Sequence, residues 1–121
     1  MNQLQVTATL KIHEGKLEDF KKLAAQCVVA VKENEPGTLQ YDWFFNPEET
    51  ECVVREIYTD SNAVFAHLSN IGVLLGQITQ VADMSLEVFG NPSEELRAAT
   101  SGMNPKIYSF YQGLWPSLQM Q

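Results

Sequence analysis

Hydrophobic and polar residues alternate strictly over the first part of the chain. One face of this segment carries the apolar residues Leu4, Val6, Ala8, Leu10 and Ile12, and the other carries Gln5, Thr7, Thr9 and Lys11. A period of two predicts a β-strand with one buried face. From Leu17 to Val31 the apolar residues instead recur at helical spacing. This helix should end before Glu35, since Pro36 disfavours helical geometry there and Gly37 permits a turn.

Two further alternating segments predict a β-hairpin. The residues predicted to share its inner face are Leu39, Tyr41, Trp43 and Phe45 in TLQYDWFF, and Cys52, Val54, Glu56 and Tyr58 in CVVREIY, with NPEET as the turn. The opposite face holds Phe44, Val53 and Ile57. Both faces are therefore partly apolar, although helices are expected on only one of them. Something other than these helices must cover the second face.

The next segment predicts a long helix followed by a strand. Asp60 or Ser61 can cap the helix at its start. The apolar residues that recur at helical spacing are Val64, Phe65, Leu68, Ile71, Leu74, Leu75, Ile78, Val81 and Ala82. Gly72 interrupts this pattern, which predicts a bent or broken helix. MSLEVFG then returns to strand alternation.

The C-terminal part predicts a short helix and an apolar tail. In NPSEELRAA, Asn91 can cap the helix, with Pro92 at its first position and Glu94 three residues after the cap. The tail KIYSFYQGLW either adds a last strand or wraps over another surface.

The predicted order of elements is βαββαβ followed by a helix and a tail. This order is typical of the ferredoxin-like arrangement, an α+β fold in which helices cover one face of an antiparallel sheet. We expect a four-stranded sheet in a single domain over residues 1–121. Its core should span about 4–90, with a C-terminal helix and tail extension at 91–121.

Composition and charge exclude several classes of partner. The chain has 121 residues, of which 45% are apolar and 19% charged, as is typical of a folded domain. Its formal net charge of -7 argues against nucleic acid and acidic membrane surfaces as partners, because both attract basic patches. The N-terminus lacks a basic leader, and no long uninterrupted apolar run occurs, so we expect a cytoplasmic protein.

The sequence contains no motif that indicates a metal or a cofactor. His13 and His67 are the two histidines, and they form no cluster with metal-ligand spacing. Neither the glycine-rich dinucleotide motif nor a phosphate-binding loop occurs. We therefore predict no metal and no cofactor.

Three polar residues fall on faces that should be buried. His67 lies in the apolar stripe of the second long helix, and Glu56 and Tyr58 share a strand face with Val54. An imidazole titrates near neutral pH, so His67 is a candidate for proton transfer, with Glu56 orienting it. The structural alternatives are a histidine bonded to a carbonyl or carboxylate, and a salt bridge between Glu56 and a neighbour such as Lys11.

Aromatic residues near these groups are candidate walls of a substrate site. Trp43, Tyr41 and Phe65 are the predicted substrate-binding residues. Aromatic residues at strand spacing are more often part of a core than a platform for a substrate, so both interpretations stay open.

The segments EPGTLQYDWFF, REIYTD and FAHLS, in this order and at this separation, resemble the antibiotic-biosynthesis monooxygenase family over about residues 4–90. The extension LEVFGNPSEELRAA resembles that of quinol-monooxygenase-like members. The resemblance implies a dimeric α/β barrel, a homodimer in which two sheets stack through their helix-free faces. It also implies oxygenation of an electron-rich phenol, quinol or polyketide by dioxygen without metal or flavin, with His67, Glu56 and Tyr58 as the catalytic residues.

Two functions follow from these observations. The first is a cofactor-independent monooxygenase acting on a quinol-like or polyphenolic small molecule. The second is a non-catalytic dimer of the same fold that binds a hydrophobic metabolite or serves in a stress response.

Overall fold

The computed structural model of the protein describes residues 3–114. Its elements are β1 (Leu4–Ile12), α1 (Leu17–Asn34), β2 (Thr38–Phe45), β3 (Glu51–Tyr58), α2 (Ser61–Val81), β4 (Ala82–Phe89), α3 (Glu94–Thr100), a 3-10 turn (Ser101–Met103) and β5 (Lys106–Tyr108). The predicted α+β, ferredoxin-like order is confirmed over its first six elements. Part of the predicted tail, residues 115–121, lies outside the described residues.

The five strands form one sheet in the order β2-β3-β1-β4-β5. The first four pair antiparallel, as expected, whereas β5 pairs parallel to β4. The predicted count of four strands is therefore short by one. The tail supplies the fifth strand, so the first of its two predicted alternatives, a last strand, is the one observed. Tyr108 of β5 stacks on Phe89 of β4 with ring centroids 5.3 Å apart.

Both long helices pack on the same face of the sheet. Phe20 and Cys27 of α1 share a buried cluster with Ala8, Leu10, Cys52 and Val54 of the strands and with Ile78 of α2. A second cluster joins the start of α2 to α3 and to the sheet through Leu4, Val6, Tyr58, Val64 and Leu96. The alternating inner residues of β1 are thus covered by helices along the strand, and the removal of this apolar surface from water stabilises the fold.

The helix α2 begins where the sequence predicted and continues without the expected break. Asp60 caps it by accepting a hydrogen bond from the Ala63 amide at 2.9 Å. Gly72 lies inside the helix, which extends unbroken to Val81. A glycine in a helix costs only about 1 kcal/mol relative to alanine, and packing of the neighbouring apolar residues on the sheet outweighs that cost.

By length and composition, α2 is also the one helix within residues 3–114 that could cross a membrane. In this fold it covers the sheet instead. Five of its residues are buried on that side: Ala63, Val64, His67, Ile71 and Ile78.

Two local predictions were wrong. The pairing of β2 with β3 shifts between Thr38 and Gln40, and this bulge leaves Leu39 53% exposed instead of on the inner face. The cap of α3 is Ser93, which accepts from the Leu96 amide, and not Asn91. Asn91 instead accepts a hydrogen bond from Arg97 at 3.3 Å.

Substitution of two glycines by alanine should change the free energy of unfolding in opposite directions. A Cβ on Gly37 would lie 2.8 Å from the Cβ of Ala63, whereas one on Gly72 would meet nothing within 4 Å. We expect Gly37→Ala to lower the free energy of unfolding by about 1–3 kcal/mol through overpacking. Gly72→Ala should raise it by about 0.5–1 kcal/mol, because alanine loses less backbone entropy in a helix. Urea denaturation measures both, and equal effects at the two positions would contradict the packing described here.

Candidate active site

A buried carboxylate at the end of α1 organises the polar part of the interior. Glu35 follows the last residue of α1, is 6% exposed and leads into the Pro36-Gly37 turn. Its carboxylate accepts hydrogen bonds from the Thr38 hydroxyl at 2.6 Å and from the Asn70 amide at 2.7 Å. A third hydrogen bond, at 2.9 Å, joins it to the Nδ1 atom of His67. One side chain therefore connects α1, β2 and α2.

The ring of His67 is fixed on several sides. Its Nδ1 faces the Glu35 carboxylate, which only accepts when ionised, so Nδ1 carries the hydrogen. The rings of Tyr41 and Tyr58 lie 5.1 and 5.3 Å from it, centroid to centroid. Burial lowers the pKa of His67, and the charge of Glu35 and its hydrogen bond partly oppose this shift. Near neutral pH the ring is thus an uncharged imidazole whose Nε2 is free to accept a proton.

A second buried carboxylate lies on the other side of this ring. The Tyr58 hydroxyl donates to Oε1 of Glu56, and this same oxygen is 4.0 Å from Nε2 of His67. That separation is too long for a hydrogen bond, but a ligand hydroxyl could lie about 2.8 Å from both atoms. Burial raises the pKa of Glu56 to about 7; the Tyr58 hydrogen bond opposes the rise and the Glu35 charge adds to it. Burial also raises the pKa of Tyr58, which therefore stays a hydrogen-bond donor.

These groups border a cavity of about 90 Å³ between the sheet and α2. Five of the six predicted site residues line it: Tyr41, Trp43, Glu56, Tyr58 and His67. Phe65 is not among its lining residues and packs against the cluster at the start of α2. The indole Nε1 of Trp43 is buried and has no hydrogen-bond partner within residues 3–114, so it is available as a donor. The rest of the lining is mostly apolar.

The predicted partner of His67 was wrong. Glu35, not Glu56, holds the ring, so the structural alternative of a histidine bonded to a carboxylate is also present. The structural alternative for Glu56, a salt bridge to a neighbour such as Lys11, is not observed. Lys11 is exposed, and Glu56 contacts Tyr58 and His67 instead. The sequence did carry a signal for Glu35, because it continues the buried stripe of α1 four residues after Val31.

The arrangement is suited to moving a proton in a largely dry space. His67 offers a base at Nε2, and Glu35 can stabilise the imidazolium that forms when this base is protonated. Glu56 changes charge near neutral pH and so can hold or release a proton on the same side of the cavity. Within the described residues no group of three or more His, Cys, Asp or Glu is placed to hold a metal ion.

Comparison with known families places this geometry in context. Residues 4–73 match the model of the antibiotic biosynthesis monooxygenase family. The chain belongs to this family. The match covers β1 to the middle of α2 and includes Glu35, Glu56 and His67, whereas α3 and β5 lie beyond it. A comparison with curated protein sequences gave no significant match.

Solved structures of this family's fold resemble the chain to different extents. MupZ from Pseudomonas fluorescens is 30% identical with a TM-score of 0.84, and the match covers 97% of this chain and 98% of MupZ. SnoaB from Streptomyces nogalater, a cofactor-independent oxygenase, solved as the mutant N63A, is 14% identical with a TM-score of 0.65 over 77% of this chain and 96% of its own. Rv0793 from Mycobacterium tuberculosis is 17% identical, with a TM-score of 0.67, and the match covers 76% of this chain and 97% of Rv0793. The last two share the fold alone.

The raised pKa of Glu56 predicts a pH dependence of stability. Glu56 binds its proton up to about pH 7 in the folded chain, against an ordinary pKa of 4.5. The folded state therefore holds more protons between these values, and this contribution to the free energy of unfolding is lost as the pH rises from about 4.5 to about 7. His67 acts in the opposite sense, since its lowered pKa costs stability as the pH falls.

We expect Glu56→Gln to remove the Glu56 contribution. Relative to the unsubstituted protein, the variant should gain stability as the pH rises from 4.5 to 7, by at most roughly 3 kcal/mol. Urea denaturation at several pH values measures this difference, with Glu51→Gln on the opposite face of the same strand as the control. A constant difference between Glu56→Gln and the unsubstituted protein across this range would contradict the assignment.

Proposed function

We propose that the protein is a cofactor-independent monooxygenase acting on a quinol-like or polyphenolic small molecule. The observation that carries the proposal is the uncharged His67, held at Nδ1 by Glu35 and offering Nε2 4.0 Å from Glu56 in an apolar cavity. Membership of the antibiotic biosynthesis monooxygenase family supports the reaction class. SnoaB, which shares the fold, is a cofactor-independent oxygenase.

The first step is removal of the substrate's phenolic proton. The hydroxyl lies between Nε2 of His67 and Glu56, and Nε2 takes the proton. Glu35 stabilises the resulting imidazolium through the existing hydrogen bond to Nδ1. The phenolate left in the cavity is a stronger electron donor than the phenol, and the apolar lining deprives it of stabilising water.

The second step uses dioxygen as the oxidant. A ring carbon of the phenolate forms a bond to one oxygen atom, which gives a hydroperoxide after that peroxide takes one proton. The one hydrogen that this carbon carries then leaves as a proton, its bonding electrons form the carbonyl, and the O–O bond breaks, so that the outer oxygen takes up a proton and leaves as water. Glu56 is the group we assign to proton delivery, because its pKa of about 7 lets it carry a proton at neutral pH. Tyr58 holds it in place.

A non-catalytic ligand-binding role is the second candidate. The observation in its favour is the mostly apolar lining of the cavity, which suits a hydrophobic ligand whether or not it reacts.

The cavity volume of about 90 Å³ limits the size of the ligand in either role. Sites for small molecules usually span about 300–1,000 Å³, so a fused polyketide does not fit the cavity as it stands. A single-ring phenol or quinol is closer to the available space and is the substrate size that we propose.

Oxygen uptake tests the proposed reaction. With single-ring quinols the protein should consume dioxygen above the uncatalysed rate, and His67→Ala should lower the enzyme-dependent rate by roughly 10²–10⁴-fold through loss of the base. His13→Ala is the matched control, because His13 is half-exposed, is bonded to Asp83 and does not line the cavity. Equal rates for the two histidine variants, or recovery of unchanged ligand alone, would favour the binding role.

We also propose that two copies associate through the helix-free face of the sheet. Phe44 is 55% exposed on this face, opposite Val53 of the neighbouring strand, and Ile57 lies further along that strand on the same face. A patch of this kind is typical of an interface between subunits.

A charge in this patch should separate the subunits. We expect Phe44→Asp to shift the protein from dimer to monomer at micromolar concentration in light scattering, because an unpaired carboxylate would be buried. Val73→Asp should leave the dimer intact, since Val73 is 80% exposed on α2, which packs on the other face. A monomeric unsubstituted protein would overturn this proposal.

A further inference from the structure

The cavity reaches beneath all five strands of the sheet. The register of the four strand pairs aligns one inner residue from each strand, and all five of them line the cavity: Tyr41, Glu56, Val6, Val88 and Ile107. Neighbouring strands lie about 4.8 Å apart, so this row spans about 19 Å. The lining also includes Leu4, Ala8 and Leu10 of β1, so a volume of about 90 Å³ is spread thinly between the sheet and the helices, as a flat slot.

The two ends of this slot differ in chemistry. Beneath β2 and β3 it meets the polar groups Tyr41, Glu56, Tyr58 and His67, which the proposed reaction uses. Beneath β4 and β5 the strand residues that line it are Met84, Leu86, Val88 and Ile107, all apolar. A ligand that fills the slot is therefore polar at one end and apolar at the other.

The extension after β4 closes the apolar end. Pro92, Leu96, Met103 and Pro105 line the slot there, together with Thr100. Arg97 is the charged residue of this end; it is exposed, and its guanidinium donates to the Pro92 carbonyl and to Asn91. This wall lies outside the stretch that matches the family model, which ends at residue 73. It belongs to the part of the chain that MupZ also covers.

We propose that the apolar end is a subsite for a slim apolar substituent, so that the ligand is a single-ring phenol or quinol carrying an alkyl or acyl chain. The hydroxyl of its ring lies at His67 and Glu56, and its chain points beneath β4 and β5 toward Met103 and Ile107. The identity of the polar head rests on the proposed function, whereas the chain-binding subsite rests on the lining of the slot.

A series of ligands of increasing chain length measures the subsite directly. The probes are phenol and its 4-methyl, 4-ethyl, 4-propyl, 4-butyl and 4-hexyl derivatives, with binding measured by calorimetry in the absence of oxygen. Each added methylene that is buried should lower the Kd by about fourfold until the slot is full, after which the gain stops. Ile107→Phe and Met103→Phe should each flatten this dependence and leave the affinity for phenol unchanged, because the added ring fills the apolar end.

The chain-binding subsite and the oxygenase reaction can be tested separately. Glu87→Gln lies on β4 but faces away from the slot, so it should keep the full dependence on chain length. A Kd independent of chain length in the unsubstituted protein would overturn the subsite, as would a dependence that survives both phenylalanine variants. If the dependence holds but neither these phenols nor single-ring quinols support oxygen uptake, the subsite stands and the oxygenase proposal fails. If the protein consumes oxygen but neither the rate nor the Kd depends on chain length, the oxygenase proposal stands and the subsite fails.

Discussion

The buried carboxylate of Glu35 is the interaction on which the site depends. It lies at the junction of α1, β2 and α2, and it accepts hydrogen bonds from Thr38, His67 and Asn70. Asn70 also donates to the Ala30 carbonyl at 2.9 Å, which joins α2 to α1 a second time. A buried charge is costly unless hydrogen bonds compensate it. The three donors therefore stabilise the Glu35 carboxylate, and the carboxylate in turn fixes their positions. The same contacts that fix the helices therefore also fix the tautomer and the orientation of His67.

With His67 in this orientation, two carboxylates in different surroundings have different roles. Glu35 is surrounded by donors and faces Nδ1, whereas Glu56 receives one hydrogen bond, from Tyr58, and burial raises its pKa to about 7. One carboxylate can thus stabilise positive charge on the imidazole while the other exchanges a proton with a ligand. Two carboxylates in different surroundings are common at sites that need both an acid and a base.

Much of the fold could be predicted because it depends on local periodicity. The alternation of β1 and the helical stripe that contains Phe20 and Cys27 both reflect which side chains face the core. His67, Glu56 and Tyr58 were recognised as buried polar residues for the same reason. The bulge at Leu39 and the pairing of β5 depend on contacts with neighbouring strands, which the local pattern does not encode. The link between Glu35 and His67 joins residues far apart in sequence, so periodicity could place each on an inner face but could not pair them.

Glu35 fixes His67 as an uncharged imidazole with its hydrogen on Nδ1. The ¹⁵N chemical shifts of the His67 ring test it most directly, since they distinguish the two neutral tautomers and follow protonation with pH. We expect an Nδ1–H tautomer at neutral pH and a lowered pKa for His67. In Glu35→Gln the pKa should fall further, because the carboxylate that favours the imidazolium is gone. An Nε2–H tautomer in the unsubstituted protein, or a His67 pKa that is the same in both proteins, would contradict the claim.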